Sequence, residues 1–566
     1  MNTNFWANFK LDTYFIFFIV VWLCWLFYCI KKISFWLWLW QIKEYRKDRM
    51  KAHFQLSSSR ALFLNKIYPF KILLLFLFLT CYFLKFENLI ILFLISAFYF
   101  LLLIVSLLFG TKARTPVFTQ KAQILYTLNL LFFVFLIPIL SFFVPLNPVR
   151  DLSLTGLNAC YITGFIFMVF ADIFLPIIVS FFLGLITPLS NFQKSKIIKR
   201  AAKKIGNFRE KLLVIGITGS YGKTSTKEFL AKILSERFKV CKTEANNNTE
   251  IGVAKTILEK LNKSHEIFIV EMAAYKRGEI KKICAIAQPS IGILTGIGTQ
   301  HFALFGSQEN IIKTKYELID SLPDRGLAVF NGDSKFFLEV FRKTKKPKRF
   351  YSLNNPCADL CVKDLREFDN RIEFKISDTG IKGTEFRVNL MGRQNVSNIL
   401  GALLVAKELG IKLDTGIAKE VVQSFKPFSH TMELKRGVNG IIIIDDTYSA
   451  NFEGAISSLD YLKNYKNSKK AIILHPLIEL GSMAGDIHKK IGRKIGEICE
   501  LCILVNGDFA KEIKAGAMEA KMSGQNIKIL EKPIEVVKLV KDFARKDDVV
   551  LLENRVPAEI INSLVV

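Results

Sequence analysis

The chain has 566 residues, 51% of them hydrophobic, and a formal net charge of +28 at pH 7. Ten cysteines are too few for a disulfide scaffold, and sparse glycine and proline without repeats exclude collagenous, coiled-coil and disordered proteins. The positive mean hydropathy indicates membrane segments. The basic excess indicates an anionic partner, which is a membrane surface, a nucleic acid or a phosphorylated substrate.

Five apolar runs before about residue 188 predict five membrane-spanning helices. Most of them approach the roughly 20 residues that cross about 30 Å of hydrocarbon. The first run has no small-residue cleavage site after it, which argues against a signal peptide. Residues 35–40 are too few to cross, and their three tryptophans suit a membrane interface. The five runs are residues 14–30, 72–84, 89–109, 124–144 and 164–186.

Basic residues predict how these helices are oriented. Lysine and arginine cluster in residues 31–66, 112–121 and 194–204, whereas the loops around Glu87 and Arg150 are nearly neutral. Because positively charged loops stay in the cytoplasm, five spans place the amino terminus outside and the carboxy-terminal part inside. The sequence therefore predicts a multi-pass protein of the cell membrane. No basic stretch with interleaved aromatic residues follows, so we expect no nucleic-acid partner.

Asp172 lies inside the fifth run, four residues before Pro176. A carboxylate within a bilayer is unfavourable, so a functional role is one interpretation. The other is a protonated or hydrogen-bonded aspartate that packs within the helical bundle. The sequence favours neither.

The chain changes character after about Asn207, where β-branched runs alternate with amphipathic helical stretches. This alternation predicts parallel α/β sheets. The predicted fold is an α-helical transmembrane bundle at residues 1–190, a basic linker at 191–206, a central α/β domain at 207–425 and a Rossmann-like α/β domain at 426–566. The predicted strands are residues 212–217, 267–271, 290–295, 327–330, 441–444, 471–474, 502–505 and 549–552, with a β-rich patch at 353–389.

A glycine-rich loop follows the first of these strands and precedes a helix. Gly219 and Gly222 let the backbone N–H groups face phosphate oxygens, and the helix amino terminus adds positive potential. Lys223 can reach the β- and γ-phosphates, and the Thr224 hydroxyl can hold Mg²⁺. The strict phosphate-loop pattern begins with glycine, where this chain has Ile217. The residues expected to bind the nucleotide are Thr218, Gly219, Ser220, Gly222, Lys223, Thr224 and Ser225.

This loop, Thr-Gly-x-x-Gly-Lys-Thr, resembles that of the Mur ligases, which are ATP-dependent amide ligases of peptidoglycan synthesis. Further motifs follow in the order of that family, and together they cover about residues 207–566. They look most like the MurF type, which adds D-alanyl-D-alanine to a muramoyl-tripeptide. These motifs lie at residues 246–252, 271–274, 298–301, 305–307, 313–317, 331–333, 392–398, 445–451 and 479–481.

The resemblance implies ATP and Mg²⁺ as cofactors and four catalytic residues, Lys223, Glu271, His301 and Lys315. Glu271 ends an apolar strand, where α/β sheets place ligands, and hard oxygen donors suit Mg²⁺. His301 would bind a second metal, and Lys315 matches the lysine that the family carbamylates to make an anionic ligand. The metal ligands would be Thr224, Glu271, His301 and Lys315. The alternatives are a salt bridge for Glu271, a satisfied loop histidine and a plain surface lysine.

The resemblance also implies nucleotide contacts from Asn395 and Asn398, which open a helix, and from Asp446, which ends a strand of the last domain. These residues would grip the nucleotide when the domains close. The sequence also differs from the usual family pattern at three further places. Thr431 replaces a usual arginine, residues 553–555 replace a usual Lys-Gly-Ser, and the membrane segments replace the usual UDP-sugar-binding domain.

These observations predict a membrane-anchored, ATP-dependent amide ligase that acts through an acyl phosphate, with its catalytic domains in the cytoplasm. The substrate would be a peptide or amino acid, either lipid-linked or delivered at the membrane by a partner protein. A soluble peptide substrate, with the spans acting only as an anchor, is the alternative. Two other functions remain, an ATP-driven membrane transporter and a non-catalytic nucleotide-binding scaffold.

Overall fold

The structure is a computed structural model. It describes residues 3–55, 57–60, 62, 67–85, 88–109, 114–136, 139, 154–208, 210–244, 247–377, 383–448 and 450–566. The chain forms two compact units, Met1–Gln193 and Lys194–Val566.

The described part of the first unit is helical. Its long helices are α1 (Thr3–Ile42), α4 (Tyr68–Phe83), α5 (Leu89–Phe109), α6 (Gln120–Leu131), which continues as a π-helical turn (Phe132–Leu136), and α7 (Leu154–Gly206). Two short helices, α2 (Lys47–His53) and α3 (Ser57–Arg60), lie between α1 and α4.

Helices α1 and α7 run parallel. The Trp25 indole N–H donates to the carbonyl of Met168 at 3.1 Å, and fifteen residues further on the Trp40 indole N–H donates to Ser180 Oγ at 3.3 Å. Indole N–H groups of buried tryptophans need such acceptors, so these two bonds fix the register of the pair.

The remaining long helices alternate in direction around this pair. Helix α4 runs against α7, because Tyr68 donates to the carbonyl of Ile173 while Phe78 stacks on Phe165, with ring centroids 5.2 Å apart. Helix α5 runs with α1, since contacts join Phe17 to Phe93 and Lys31 to Leu107. Helix α6 runs against α1, with Gln41 bonded to Val117 and Trp25 beside Phe133. The described helices therefore form an up-and-down bundle.

Three of these helices contain a segment long and apolar enough to cross a membrane, Ile16–Ile42, Ile90–Leu108 and Tyr161–Gly206. The predicted second span falls in Tyr68–Phe83, which is apolar but shorter. The predicted fourth span lies partly outside the described residues, as do the loops around Lys112, Glu87 and Arg150. The number of spans therefore stays a prediction.

Two short segments differ from the sequence-based expectation. Residues 35–40, expected at an interface, continue helix α1, and Trp36, Leu37 and Trp40 are buried in the bundle. Residues 191–206, expected to be a linker, form the last turns of helix α7. Residues 35–40 contain no glycine or proline, and the one glycine of residues 191–206, Gly206, is the last residue of helix α7, so the helix propagates through both segments.

The second unit contains a nine-stranded and a six-stranded sheet, which confirms the two predicted α/β domains. The first sheet has the order β2-β3-β1-β4-β5-β6-β7-β8-β9, parallel up to β7 and antiparallel from β7 to β9. Its strands are β1 (Leu213–Thr218), β2 (Val240–Lys242), β3 (Ile267–Glu271), β4 (Ile291–Leu294), β5 (Leu327–Asn331), β6 (Lys348–Ser352), β7 (Leu360–Glu367), β8 (Ile372–Ser377) and β9 (Thr384–Val388).

The second sheet has the order β10-β11-β15-β12-β13-β14 and is parallel except for its edge strand β10. Its strands are β10 (Glu433–Arg436), β11 (Ile442–Asp446), β12 (Lys470–Leu474), β13 (Leu501–Leu504), β14 (Ile527–Ile529) and β15 (Val549–Glu553). All eight individually predicted strands and the β-rich patch are present.

Helices cover these sheets. Those of the central domain are α8 (Lys223–Leu234), α9 (Glu250–Glu259), α10 (Glu279–Ala287), α11 (Phe302–Phe305), α12 (Gln308–Asp320), α13 (Phe337–Lys343), α14 (Arg393–Glu408) and α15 (Gly416–Gln423). Those of the carboxy-terminal domain are α16 (Phe452–Tyr461), α17 (Ala484–Ile498), α18 (Ala510–Glu519), α19 (Pro533–Phe543) and α20 (Ala558–Leu564).

The central strands of the first sheet are buried on both faces. Ile215 and Ile217 pack with helix α8 on one side of the sheet, and Val214 and Phe268 belong to a second core on the other side. Such strands read as continuous apolar runs, which is why the sequence predicts them well. In register, Ile217 lies opposite Glu271. The carboxyl ends of β1 and β3 therefore meet at one edge, where α/β sheets bind ligands.

Candidate functional site

The loop between β1 and α8 has the geometry of a phosphate cradle. Gly222 caps the helix with φ of +76°, and a Cβ there would collide with the side-chain oxygen of Asn398. Gly219 lies so close to Thr295 that it also has no room for a side chain. The free N–H groups at the start of α8 face this loop, an arrangement that binds anions. The Lys223 ammonium lies over the loop and donates to the carbonyl of Gly219 at 2.9 Å.

The other predicted loop residues have distinct surroundings. Thr218 is buried and donates through Oγ1 to the carbonyl of Met272 at 2.8 Å, which ties the loop to the end of β3. The Ser220 backbone N–H donates to the carbonyl of Gly296 at 2.7 Å. Ser225 is half-buried in the first turn of α8.

Glu271 lies beside the phosphate loop at the end of β3. One carboxylate oxygen accepts hydrogen bonds from Thr224 Oγ1 at 3.0 Å and Lys227 Nζ at 3.3 Å, and the other accepts from Asn248 Nδ2 at 3.0 Å. Burial disfavours the charged carboxylate, but the charges of Lys227 and Lys223 and the hydrogen bonds from Asn248 and Thr224 together outweigh burial and lower the pKa of Glu271. Glu271 is therefore ionised at neutral pH and is linked to Thr224.

Lys227 is a residue that the sequence analysis missed. Its side chain is fully buried, and it pairs with Glu271 and also with Glu228 at 3.2 Å. A buried lysine of this kind needs such partners. The available signal was its position four residues after Lys223, which places both cations on one face of helix α8.

His301 belongs to the loop after β4 and has a left-handed backbone with φ of +60°. Its Nδ1 is 2.6 Å from Glu479 Oε2, and its ring meets the edge of Tyr275 with centroids 4.8 Å apart. Burial lowers the pKa of His301, and the hydrogen bond to Glu479 opposes this shift only in part. A neutral imidazole is the form that binds a metal.

Lys315 lies on helix α12 and is only 4% exposed, which excludes a plain surface lysine. Its Nζ is 5.9 Å from the centroid of Phe305. Burial, and then the positive charge of Lys223, lower its pKa to about 7. The charges of Lys223 and Lys315 also lower the pKa of His301. Charges act on one another in this way only when they lie near each other, so these effects indicate that Lys223, His301 and Lys315 belong to one site.

Thr224 and Glu271 offer adjacent hard oxygens, which fit Mg²⁺. The neutral nitrogen of His301 is a softer donor than Mg²⁺ prefers, so the histidine would supplement these oxygens and would not replace them. A bound Mg²⁺ would neutralise phosphate charge and orient the oxygens of the nucleotide. Lys315 in its present form is a cation or a neutral amine, so it would serve as an oxygen ligand only after carbamylation.

The three residues expected on the nucleotide are differently placed. Asn398 lies against Gly222 and 3.5 Å from Thr226 Oγ1, so it is beside the phosphate loop. Asn395 donates to the carbonyl of Met391 at 2.8 Å, within the central domain. Asp446 accepts from Ser458 Oγ at 2.6 Å and from the Met432 N–H at 3.2 Å, within the carboxy-terminal domain. Asn246 and Ser449, in two of the motifs, lie outside the described residues.

Besides the bond between His301 and Glu479, further hydrogen bonds join the carboxy-terminal domain to the central domain around this site. Glu453 Oε1 accepts from the Thr299 N–H at 3.2 Å, and a Cβ at Gly298 would lie only 2.5 Å from the same carboxylate. The sequence analysis assigned no role to Glu453. The Ser457 hydroxyl donates to Gln394 Oε1 at 2.6 Å, and the Ala303 N–H donates to the carbonyl of Glu479 at 2.9 Å. The Tyr461 hydroxyl lies within hydrogen-bond distance of the carbonyls of Asp369, at 2.8 Å, and Phe368, at 3.3 Å.

A second polar cluster surrounds the Thr431 position. His430, Glu433 and Asp445 could together hold a metal ion. However, Lys435 Nζ is 2.6 Å from Asp445 and 3.0 Å from Glu433, so a protein cation already neutralises these carboxylates. We therefore regard this cluster as an ion-pair network.

Both α/β domains match a known family. Residues 217–406 match the Mur ligase middle domain, and residues 431–553 match the Mur ligase glutamate ligase domain. The two matched ranges lie within residues 207–566, and the first contains Lys223, Glu271, His301 and Lys315.

Among similar proteins, a Synechocystis protein named UDP-N-acetylmuramoyl-tripeptide–D-alanyl-D-alanine ligase is 34% identical over 310 residues. The match covers 54% of this chain and 64% of that protein, so the chain spans less than two thirds of its length. A Bacillus subtilis protein of the same name is 29% identical over 343 residues, which cover 60% of this chain and 72% of that protein.

Solved structures agree with these matches. MurF from Thermotoga maritima in complex with ADP has a TM-score of 0.57 and 26% identity, and covers 65% of this chain and 83% of its own. MurF from Acinetobacter baumannii has a TM-score of 0.59 and 23% identity, and covers 65% and 80% respectively. The second of these supports the fold alone.

Proposed function

This chain belongs to the Mur ligase family, and we propose that it is an ATP-dependent carbon–nitrogen ligase of peptidoglycan precursor synthesis, of the MurF type. The observation that carries the proposal is the link between the phosphate loop and Glu271 through Thr224, beside His301 and Lys315. The names of the Synechocystis and Bacillus relatives suggest a muramoyl-tripeptide as the acid and D-alanyl-D-alanine as the amine.

The reaction would proceed in two steps. The substrate carboxylate attacks the γ-phosphate of ATP and forms an acyl phosphate and ADP. The amine then attacks the acyl carbon and displaces inorganic phosphate. Lys223 and the amino terminus of α8 would neutralise charge on the transferred phosphoryl group. Lys227 and Asn248 would hold Glu271 in place, so that positioning and electrostatics supply most of the rate.

We further propose that the enzyme works at the cytoplasmic face of the cell membrane on a lipid-linked acceptor, or on one delivered there by a partner protein. Three apolar helices of sufficient length and the run of exposed lysine and arginine after residue 193 support this placement. Anionic lipid headgroups attract such basic segments, and confinement to a membrane raises the effective concentration of a lipid-linked substrate.

Mass spectrometry of reaction products tests the activity. The full chain, reconstituted in nanodiscs, is incubated with ATP, D-alanyl-D-alanine and either a soluble UDP-linked or a lipid-linked muramoyl-tripeptide. We expect a new amide and one ADP per amide, with faster formation on the lipid-linked acceptor. ATP hydrolysis without an amide, stimulated by a translocated solute, would favour the transporter. Nucleotide binding without turnover would favour the scaffold. Equal rates on both acceptors would indicate that the helices only anchor the enzyme to the membrane and do not select a lipid-linked substrate.

A further inference from the structure

The hydrogen bond between His301 and Glu479 joins two different domains at the proposed metal site. His301 follows β4 of the central domain, and Glu479 follows β12 of the carboxy-terminal domain, 178 residues later in the chain. The Glu479 side chain is only 4% exposed, so water competes weakly for its carboxylate. Its interaction with the histidine through Oε2 is therefore only weakly screened by water.

The backbone around this pair is unusual on both sides. His301 and Glu479 have φ of +60° and +64°, a left-handed conformation that residues with a side chain seldom adopt. The carbonyl of Glu479 accepts from the Ala303 N–H at 2.9 Å, and a Cβ at Gly481 would lie 3.1 Å from the Cα of Ala303. Glycine or asparagine would relieve the strain at position 479, yet a glutamate occupies it, which indicates that its carboxylate is needed.

The loop that carries Glu479 is held by its own domain. Asn554 donates to the carbonyls of His475 at 2.7 Å and Pro476 at 3.1 Å. The Leu477 N–H donates to His488 Nε2 at 3.0 Å, and the Leu477 side chain is buried. Glu479 is therefore preorganised by the carboxy-terminal domain, and its position moves with that domain.

A carboxylate on Nδ1 has a definite chemical effect on a histidine. It stabilises the tautomer with the proton on Nδ1, and this tautomer presents the lone pair of Nε2. Metal-binding histidines commonly donate their second N–H to such an acceptor, which fixes the orientation of the ring. The geometry of His301 and Glu479 meets this requirement, with Nδ1 as the nitrogen that is bonded.

We propose that Glu479 is a positioning residue that fixes His301 as an Nε2 metal ligand, and that it thereby couples metal binding to closure of the two α/β domains. The proposal rests on the proposed function only for the identity of the metal site. Because Glu479 lies on the carboxy-terminal domain, opening of the domains removes it from His301. Linkage then requires that a bound metal favours closure to the same extent that closure favours the metal.

Mn²⁺ binding, measured by electron paramagnetic resonance on the full chain with a non-hydrolysable ATP analogue, tests the proposal. Glu479→Ala should raise the Kd for Mn²⁺ by about ten- to a hundredfold. Glu479→Gln keeps an oxygen acceptor for Nδ1 and should restore most of the affinity. Glu535→Gln, at an exposed carboxylate of the same domain, should bind like the unaltered protein and serves as the matched control.

A double variant separates positioning from a merely structural role. His301→Ala should weaken Mn²⁺ binding, and adding Glu479→Ala to it should cause no further loss. Unaltered affinity in Glu479→Ala, or an equal extra loss in the His301→Ala background, would overturn the proposal.

Hydrogen exchange at residues 301–305 provides a second readout, since Mn²⁺ with the nucleotide analogue should increase protection there in the unaltered chain and not in Glu479→Ala. Equal protection in both would also count against coupling. A chain that makes no amide but shows this coupling would refute the proposed ligase function and still support the role of Glu479.

Discussion

Lys71 and Asp172 form an ion pair with an N–O distance of 2.6 Å inside the helical bundle, and their side chains are only 4% and 2% exposed. Lys71 also donates to the hydroxyl of Tyr28 at 3.0 Å. The pair joins helices α4 and α7. The structure thus gives Asp172 a charged partner inside the bundle, which is compatible with both interpretations that the sequence left open.

Removing one partner of this pair should destabilise the bundle strongly. Asp172→Asn leaves Lys71 as an uncompensated buried charge, a change that costs about 3–5 kcal/mol in comparable pairs. The double variant Lys71→Met with Asp172→Asn removes both charges and should recover most of the lost thermal stability in detergent. If the double variant is stable but has lost ligase activity, Asp172 has a functional role beyond packing.

Lys223→Ala should reduce ATP turnover by at least about a hundredfold, because a preorganised cation at the phosphoryl group is removed. The fold should persist, since the hydrogen bonds of the Lys223 ammonium go to carbonyls of the loop and not to the cores of the domain. ATP hydrolysis during amide formation provides the measurement. Lys211→Ala, at an exposed lysine just before β1, serves as the control and should turn over ATP normally. Undiminished turnover in Lys223→Ala would remove the loop from the mechanism.

Lys315 is predicted to carry a carbamate, which forms when a neutral amine reacts with CO₂. A pKa of about 7 leaves roughly half of the amine neutral at pH 7 and about a tenth at pH 6. Activity should therefore depend on bicarbonate and rise with pH through this range. Lys315→Ala should be inactive, and short carboxylic acids should partly restore its activity. Lys313→Ala, at an exposed lysine paired with Glu309, should behave normally. An active Lys315→Ala enzyme would argue against the carbamate.

Asn398→Ala should raise the KM for ATP more than it lowers kcat. Asn398 lies against the phosphate loop at Gly222 and Thr226, so its loss should weaken nucleotide binding before it affects chemistry. The same pattern is predicted for Asp446→Ala, although its bonds to Ser458 and Met432 add a contribution to stability. Steady-state kinetics with varied ATP concentration measure the KM and kcat of each variant. A fall in kcat at constant KM would place either residue in chemistry or in folding.

Glu553 is fully buried at the end of β15, opposite Asp446, and burial together with that neighbouring charge raises its pKa well above the usual value of 4.5. A raised carboxyl pKa means that the folded state holds a proton which the unfolded state releases. Stability from this group is thus present below pH 4.5 and is lost as pH rises toward the folded pKa. Glu553→Gln should be at least as stable as the unaltered chain at pH 7 and should show a weaker pH dependence of its melting temperature. A marked loss of stability at pH 7 would show that the carboxylate is ionised and paired.

The sequence by itself determined the features that depend on local pattern. The buried parallel strands, the glycine loop before α8 and the order of the family motifs all follow from spacing along a short stretch of chain. Glu271 could be placed at a sheet edge because it directly follows an apolar strand. Local pattern also limited the predictions, since residues 35–40 were judged by their length alone and not as the continuation of an unbroken helix.

The tertiary structure decided which distant side chains meet. Lys71 forms an ion pair with Asp172, and Glu453 and Glu479 form hydrogen bonds with Thr299 and His301. The two residues of each pair are more than a hundred positions apart in the chain. Such pairs depend on the paths of whole elements through space, whereas hydrophobic periodicity and turn chemistry reflect only neighbours in the sequence. For this reason the phosphate loop was predictable, and the carboxylate that positions His301 was not.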